Sequence, residues 1–323
     1  MRYSMNVLNI LTSLTYKGIG KAWVVKNIKG GEHEEVIVSL LNQSVKDKII
    51  TRENFQKRKS QLEKHLVAAS SYMDGAVAIG DEMFPKHRGK VKNSEKPVVL
   101  FYKGDITLLA PTNKNIAVIG VLEPDVETKK DEELMVQALV QQGATIVSGL
   151  ANGCDAIAHQ QAILSQGKTV AILPSPLHNI LPAGNRTLAQ KILETHGLLV
   201  TEYLYDAKSK MVFTGRYQER DRLQALFSDA IILTSSYAKN NLGNDSGSRL
   251  AMQYAYQYGI PRCVMYDEQK HTGNPKFDLN RQIISEQKEV IVINTKNLNA
   301  TISQVMKISH DPLTLIEKQT DLF

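Results

Sequence analysis

Ser148-Gly149-Leu150-Ala151-Asn152-Gly153-Cys154-Asp155-Ala156-Ile157-Ala158-His159 runs from an apolar strand end into a helical pattern. Gly149 and Gly153 let the backbone turn tightly and aim N–H groups outward. The helix start that follows adds partial positive charge, and the combination makes a phosphate cradle. Asp155 and His159 are four residues apart, so both sit on one helix face, where they orient the loop or lock it to its neighbours. A second loop, Leu181 to Arg186, carries Asn185. A third, Asn244 to Arg249, opens a helix with Ser246, Gly247 and Ser248, offering hydroxyls and N–H groups to an anion or simply capping the helix. From Lys208 to Arg222 cations alternate with rings: Lys208, Lys210, Phe213, Arg216, Tyr217, Arg220 and Arg222. Charge for phosphates beside rings for bases is the layout of a single-strand groove. The bland alternative is a solvated helix in which Glu219 and Asp221 pair with those cations.

Other chemistry is poorly supported. The loop after the first strand of the α/β pattern reads Gly120-Val121-Leu122-Glu123-Pro124-Asp125. It is not GxGxxG, and its acids repel phosphates, which disfavours a nicotinamide dehydrogenase, and no cofactor is expected. Cys154 stands at a helix start, which can lower a thiol pKa, but no base is placed to serve it. No His/Cys/Asp group has metal-ligand spacing. Cys154 and Cys263 cannot build a disulfide framework, which points to a reducing cytoplasm. No apolar run approaches the roughly 18 residues of a membrane span, and the first residues lack a signal-peptide pattern.

These loops need a scaffold. From Asn115 onward short apolar runs alternate with amphipathic helices, predicting strands at Ile116–Gly120, Thr145–Ser148, Thr169–Leu173, Leu198–Thr201, Ala230–Thr234 and Arg262–Tyr266. Helices such as Glu132–Gln142 and Asp155–Gln166 fill the gaps. That is an α/β fold with a doubly wound, mostly parallel Rossmann-like sheet, whose ligands bind at the carboxyl ends of the strands. The expected organisation is a small helical domain over 1–68, a connector with short strands over 69–112, the core over 113–294, and a tail over 295–323 where Leu313, Leu315 and Ile316 dock a last helix. In the helical domain Lys17-Gly18-Ile19-Gly20-Lys21 has the pattern of a helix-hairpin-helix turn, or of a plain helix–helix turn. Lys86-His87-Arg88-Gly89-Lys90-Val91-Lys92 reads as a solvated basic loop. The net charge of +6 is uneven: residues 1–112 hold 18 basic and 11 acidic side chains, the remainder 21 and 22. A nucleic-acid site in the core must therefore be a local patch.

VSGLANGCDAIAH resembles the signature SGxAxGxDxxAH of the DNA processing protein A (DprA/Smf) family. AIGDEMFP, PVVLFYKGD, LPAGNRTLAQKI, GLLVTEY, RDRLQALFSDA and NDSGSRLAMQYAYQYG agree in the same order, over roughly residues 69–268. The resemblance implies a non-catalytic, homodimerising protein that binds single-stranded DNA and hands it to the RecA recombinase during natural transformation. Loops and resemblance together give the expected site: Gly120, Ser148, Gly149, Asn152, Gly153, Asp155, His159, Asn185, Lys210, Arg216, Tyr217, Arg220, Arg222, Ser246, Gly247 and Ser248. Three positions depart from the family. Val121-Leu122 stands where Ser/Thr-Arg is usual, Asn152 where a basic residue is common, and Asp221 where Asn is usual. Each change makes the expected pocket less positive. The wider superfamily includes nucleotide-sensing domains and members in defence modules. The alternative is therefore a nucleotide-sensing or antitoxin-like part of a phage-defence module, with a toxin or defence protein as partner. A phosphoribohydrolase on a related fold is disfavoured, because Asn244–Ser248 is not the Gly-Gly-x-Gly-Thr loop of that class.

Overall fold

In the computed structural model, residues 2–45, 49–239, 247–286 and 290–308 are described. The helical start comprises α1 (Met5–Ser13), α2 (Lys21–Asn27), α3 (Glu34–Ser44) and α4 (Arg52–Ala68). Ser4 and Thr51 cap α1 and α4 by accepting from Val7 N and Asn54 N, which satisfies donors left open at a helix start. Tyr16, Ile19, Ile37, Leu41, Ile50 and Phe55 give these helices a small core of their own. The other face of α1 buries Val7, Leu8 and Ile10 against Ala76, Val99 and Phe101.

Strands β1 (Gly75–Ala78) and β2 (Val99–Gly104) follow. Then β3 (Asn115–Ile119), α5 (Val126–Gln141), β4 (Thr145–Ser148), α6 (Cys154–Leu164), β5 (Thr169–Ile172), α7 (Arg186–Glu194), β6 (Leu198–Thr201), α8 (Lys210–Leu226), β7 (Ala230–Leu233), α9 (Gly247–Tyr258) and β8 (Arg262–Met265) alternate. Last come α10 (Glu268–His271), α11 (Asp278–Glu286), β9 (Ile291–Ile293) and α12 (Leu298–Met306). The six expected core strands are present within a residue of their expected ends, because short Val/Ile/Leu runs are what a strand buried on both faces requires.

The nine strands among the described residues form one sheet, in the order β1-β2-β6-β5-β4-β3-β7-β8-β9. From β6 to β9 the pairs are parallel, while β2 is antiparallel to both β1 and β6. The connector strands thus continue the sheet rather than merely packing on it. After β3 the chain winds out through β4, β5 and β6, then returns to place β7 on the other side of β3. The carboxyl ends of β3 and β7 consequently open a crevice, the usual ligand position of such sheets.

One reading needs correction. The Lys86–Lys92 loop is not simply solvated. Arg88 is buried and donates to the carbonyls of Leu109, Phe227, Ala110 and Asn113, with Asp229 beside its Nε. The helix docked near the end of the chain is α12, through Ile302 and Val305. Leu313, Leu315 and Ile316 lie outside the described residues.

Candidate nucleic-acid interface

The crevice is a pocket of about 270 Å³. The ends of β3 and β4 supply Gly120 and Ala151, α6 supplies Asp155, α9 supplies Gly247 and Ser248, and α8 supplies Tyr217, Arg220, Asp221 and Gln224. Positions 217, 220, 221 and 224 form one helical stripe, so α8 turns a single polar face into the site. At its centre is Arg220, with only 6% of its side chain exposed. Its Nη1 lies 3.5 Å from Asp155 Oδ2, and its Nε lies 3.4 Å from Asp221 Oδ1 without making a hydrogen bond. With the Gln224 amide turned to satisfy both neighbours, its oxygen accepts from Arg220 Nη1 at 3.1 Å and from Gly149 N at 3.0 Å. The Tyr217 ring lies 5.7 Å from the guanidinium and meets Phe213 edge-on. A buried guanidinium with an unmade donor, beside a half-buried ring and a helix start, suits an anion joined to a flat base.

The glycines act by making room. A Cβ on Gly149 would collide with Arg220 Nη1, and one on Gly153 with the carbonyls of Val121 and Leu122. Gly153 has φ +73° and ψ −129°, a backbone conformation open essentially to glycine alone. Leu150, also at positive φ, is buried between them. Asn185 Nδ2 holds this turn by donating to the carbonyls of Leu150 (2.9 Å) and Ala151 (3.2 Å). The expected outward cradle is not formed by Gly149 and Ala151. Their N–H groups point inward, each donating to Asp155 Oδ2 at 3.2 Å.

Charge in the pocket is finely divided, with two carboxylates, Asp155 and Asp221, flanking one guanidinium. Burial pushes Asp221 up to about 7, against the pull of Arg220 and helped by Asp155. Behind the pocket Glu132 of α5 is fully buried, and desolvation holds its carboxyl well above the usual range. The same burial, with Glu132 alongside, raises the Cys154 thiol far from a thiolate, the reverse of what its helix-start position suggests.

The sequence profile of the DNA recombination-mediator protein A family matches residues 75–302, well over half of the chain. The chain belongs to this family. The DNA processing protein DprA of Bacillus subtilis is 28% identical over 165 residues, 51% of this chain and 52% of that protein. Protein Smf of Borreliella burgdorferi is 30% identical over 192 residues, 58% and 56% of the two chains. The matches thus span about half the length of these curated relatives. Among solved structures, DprA of Streptococcus pneumoniae superposes with a TM-score of 0.67 at 21% identity, covering 94% of this chain and 98% of that one, a likeness of fold. DNA processing protein A of Helicobacter pylori, whose structure is described as revealing a unique single-stranded DNA binding mode, gives 0.54 at 28% identity over 65% and 88%.

Of the expected site residues, the pocket gathers Gly120, Asp155, Tyr217, Arg220, Gly247 and Ser248. Ser248 Oγ donates to Gly120 O at 2.9 Å, tying the α9 start to the β3 loop. Gly149, Gly153 and Asn185 shape the turn behind the pocket. Asn152 is exposed on that turn, and Lys210 is exposed at the start of α8. Three expected residues are buried and already engaged by protein partners away from the pocket. Ser148 is wholly buried and donates to Val118 O. His159 is wholly buried, with Nδ1 2.6 Å from Thr169 Oγ1. Since that hydroxyl donates to Ile146 O, Nδ1 carries the hydrogen, and burial keeps the ring neutral with a pKa of about 3. Arg222 is 3% exposed and grips Glu202 with Nη2 at 2.7 and 2.8 Å from its two oxygens. None of the three lines the pocket. Arg216 is engaged as well: it lies 4.1 Å over the Tyr203 ring and donates to Tyr205 O. Ser246 lies outside the described residues. Gln224 and Glu132 were missed, although the 217/220/221/224 spacing already pointed to Gln224.

Proposed function

We propose that this protein binds single-stranded DNA at the crevice between β3 and β7, with a phosphate at Arg220 and a base against Tyr217. The observation that carries this is Arg220, a buried guanidinium that lines an open pocket and keeps an unmade Nε donor. Membership of the recombination-mediator family and the single-stranded DNA binding mode described for the Helicobacter pylori relative support the choice of single strand. The role is binding rather than catalysis. Protection of the strand, its delivery to a RecA-type recombinase, and assembly as a homodimer are the finer parts of this reading. Fluorescence anisotropy with a single-stranded oligonucleotide, its duplex and free nucleotides tests it. The single strand should bind most tightly, and log K should fall linearly with log salt, by about 0.7 per phosphate contact. Equal affinity for duplex, or no binding in the micromolar range at about 50 mM salt, would overturn the reading.

A further inference from the structure

A second cleft, of about 760 Å³, opens on the helical start of the chain. It lies between the turn after α1, the helix α4, and Tyr205 in the segment after β6. Lys17, Lys57, Arg58 and His65 face it together with the rings of Tyr16 and Tyr205, and no acidic side chain is among the described residues that line it. Its walls are fixed. Arg58 stacks 4.2 Å over the Tyr16 ring, and its Nη1 donates to Thr15 O and Oγ1 at 3.1 and 2.9 Å. His65 Nδ1 lies 2.7 Å from the Tyr205 hydroxyl, with the two rings edge-on at 5.5 Å. Lys17 and Lys57 are exposed at the rim. The exposed Tyr205 ring, set among exposed cations with no carboxylate among the described residues that line the cleft, offers a stacking surface inside a positive field. This cleft also lies in the part of the chain that holds the whole basic excess.

The cleft is not isolated from the pocket. The Tyr205 carbonyl accepts from Arg216 Nη1 at 2.8 Å, and Arg216 is the neighbour of Tyr217, which lines the pocket. Contacts thus join Arg216 to Tyr205 and Tyr205 to His65, which shares α4 with Arg58 and Lys57. We propose that the cleft between the α1–α2 turn and α4 is a second single-strand nucleic-acid site, holding the stretch of strand that leaves the pocket past Arg216. Its continuity with the pocket rests on the function proposed above. Its own chemistry does not.

The test uses the full chain with oligothymidylates of about 6 and about 25 nucleotides, since stacking-groove sites span roughly 4–16. Lys17→Glu with Lys57→Glu changes two exposed side chains and should leave the thermal transition in place. It should weaken the long oligomer on the order of tenfold and lower its salt slope by about 1.4, with the short oligomer unchanged. Tyr205→Ala should weaken the long oligomer at least about fivefold without altering the salt slope, as loss of one stacked base requires. If Gly149→Ala leaves binding intact while these variants still weaken the long oligomer, the pocket reading fails and the cleft stands. An unchanged long-oligomer affinity and slope would overturn the cleft. So would equal weakening of both lengths by the charge reversal with no effect of Tyr205→Ala, the mark of a general field.

Discussion

Arg220 and Arg222 stand two residues apart on α8 and face different worlds. Arg222 closes a buried ion pair with Glu202. Arg222→Ala should destabilise the fold in denaturant unfolding by less than the roughly 3–5 kcal/mol of a wholly stranded buried charge, because Lys21 still pairs with Glu202. Asp221 between them sets a pH dependence. Its folded pKa of about 7 lies above the unfolded value, so the native state holds an extra proton in between and loses stability as pH rises through that window. The stability of Asp221→Asn minus that of the parent should climb with pH by about 1.4 kcal/mol per unit between roughly 4 and 7, then level off. Measuring both proteins by urea unfolding at several pH values checks this, and a flat difference would mean that Asp221 is ionised throughout. Protonation also removes one negative charge from the pocket. Oligonucleotide affinity should thus rise as pH falls through about 7 in the parent and stay high and level in Asp221→Asn. The alternation of cations and rings from Lys208 to Arg222 was legible in the sequence. Which arginine turns into the crevice was not, because that depends on the packing of α8 against β7 and on a glutamate, Glu202, that arrives from another strand.

At the scale of elements, the turn from β4 to α6 is a packing device before it is a binding one. Gly149 exists to let Arg220 approach. Gly149→Ala should displace the guanidinium and weaken single-strand binding at least tenfold with a modest loss of stability, read by anisotropy and unfolding in parallel. Gly153→Val combines a clash with a backbone strained by about 1–3 kcal/mol and should lower the midpoint of unfolding visibly. The glycine loop could be located from the sequence because strand end, glycines and helix start are contiguous. The direction of its N–H groups could not, since Asp155 competes with any ligand for them. Strands β3 to β8 were equally legible from their apolar runs. β9 was not: three residues carry too little pattern to stand out. Helix α12 was not singled out either, because the stretch after residue 295 reads as mostly polar.

At the scale of the whole molecule, the helical start is joined to the core by charge as well as by apolar packing. Lys21 Nζ lies 3.1 Å from Glu202 and 3.5 Å from Glu219, so Glu202 is shared between Arg222 of the core and Lys21 of α2. The basic excess of residues 1–112 thereby sits beside a nearly neutral core whose crevice holds two carboxylates. Composition made that imbalance visible, but not that Arg88 and Lys21 spend their charge on holding the fold. The central claim is that one phosphate of a single strand meets Arg220 in the β3–β7 crevice. A crystal structure of the full chain with a thymidine hexanucleotide tests this most directly. The account predicts a phosphate oxygen about 3 Å from the Arg220 guanidinium, with a thymine against the Tyr217 ring. Well-defined nucleotide elsewhere on the protein, with the crevice empty and Arg220 still facing only Asp155, Asp221 and Gln224, would contradict it.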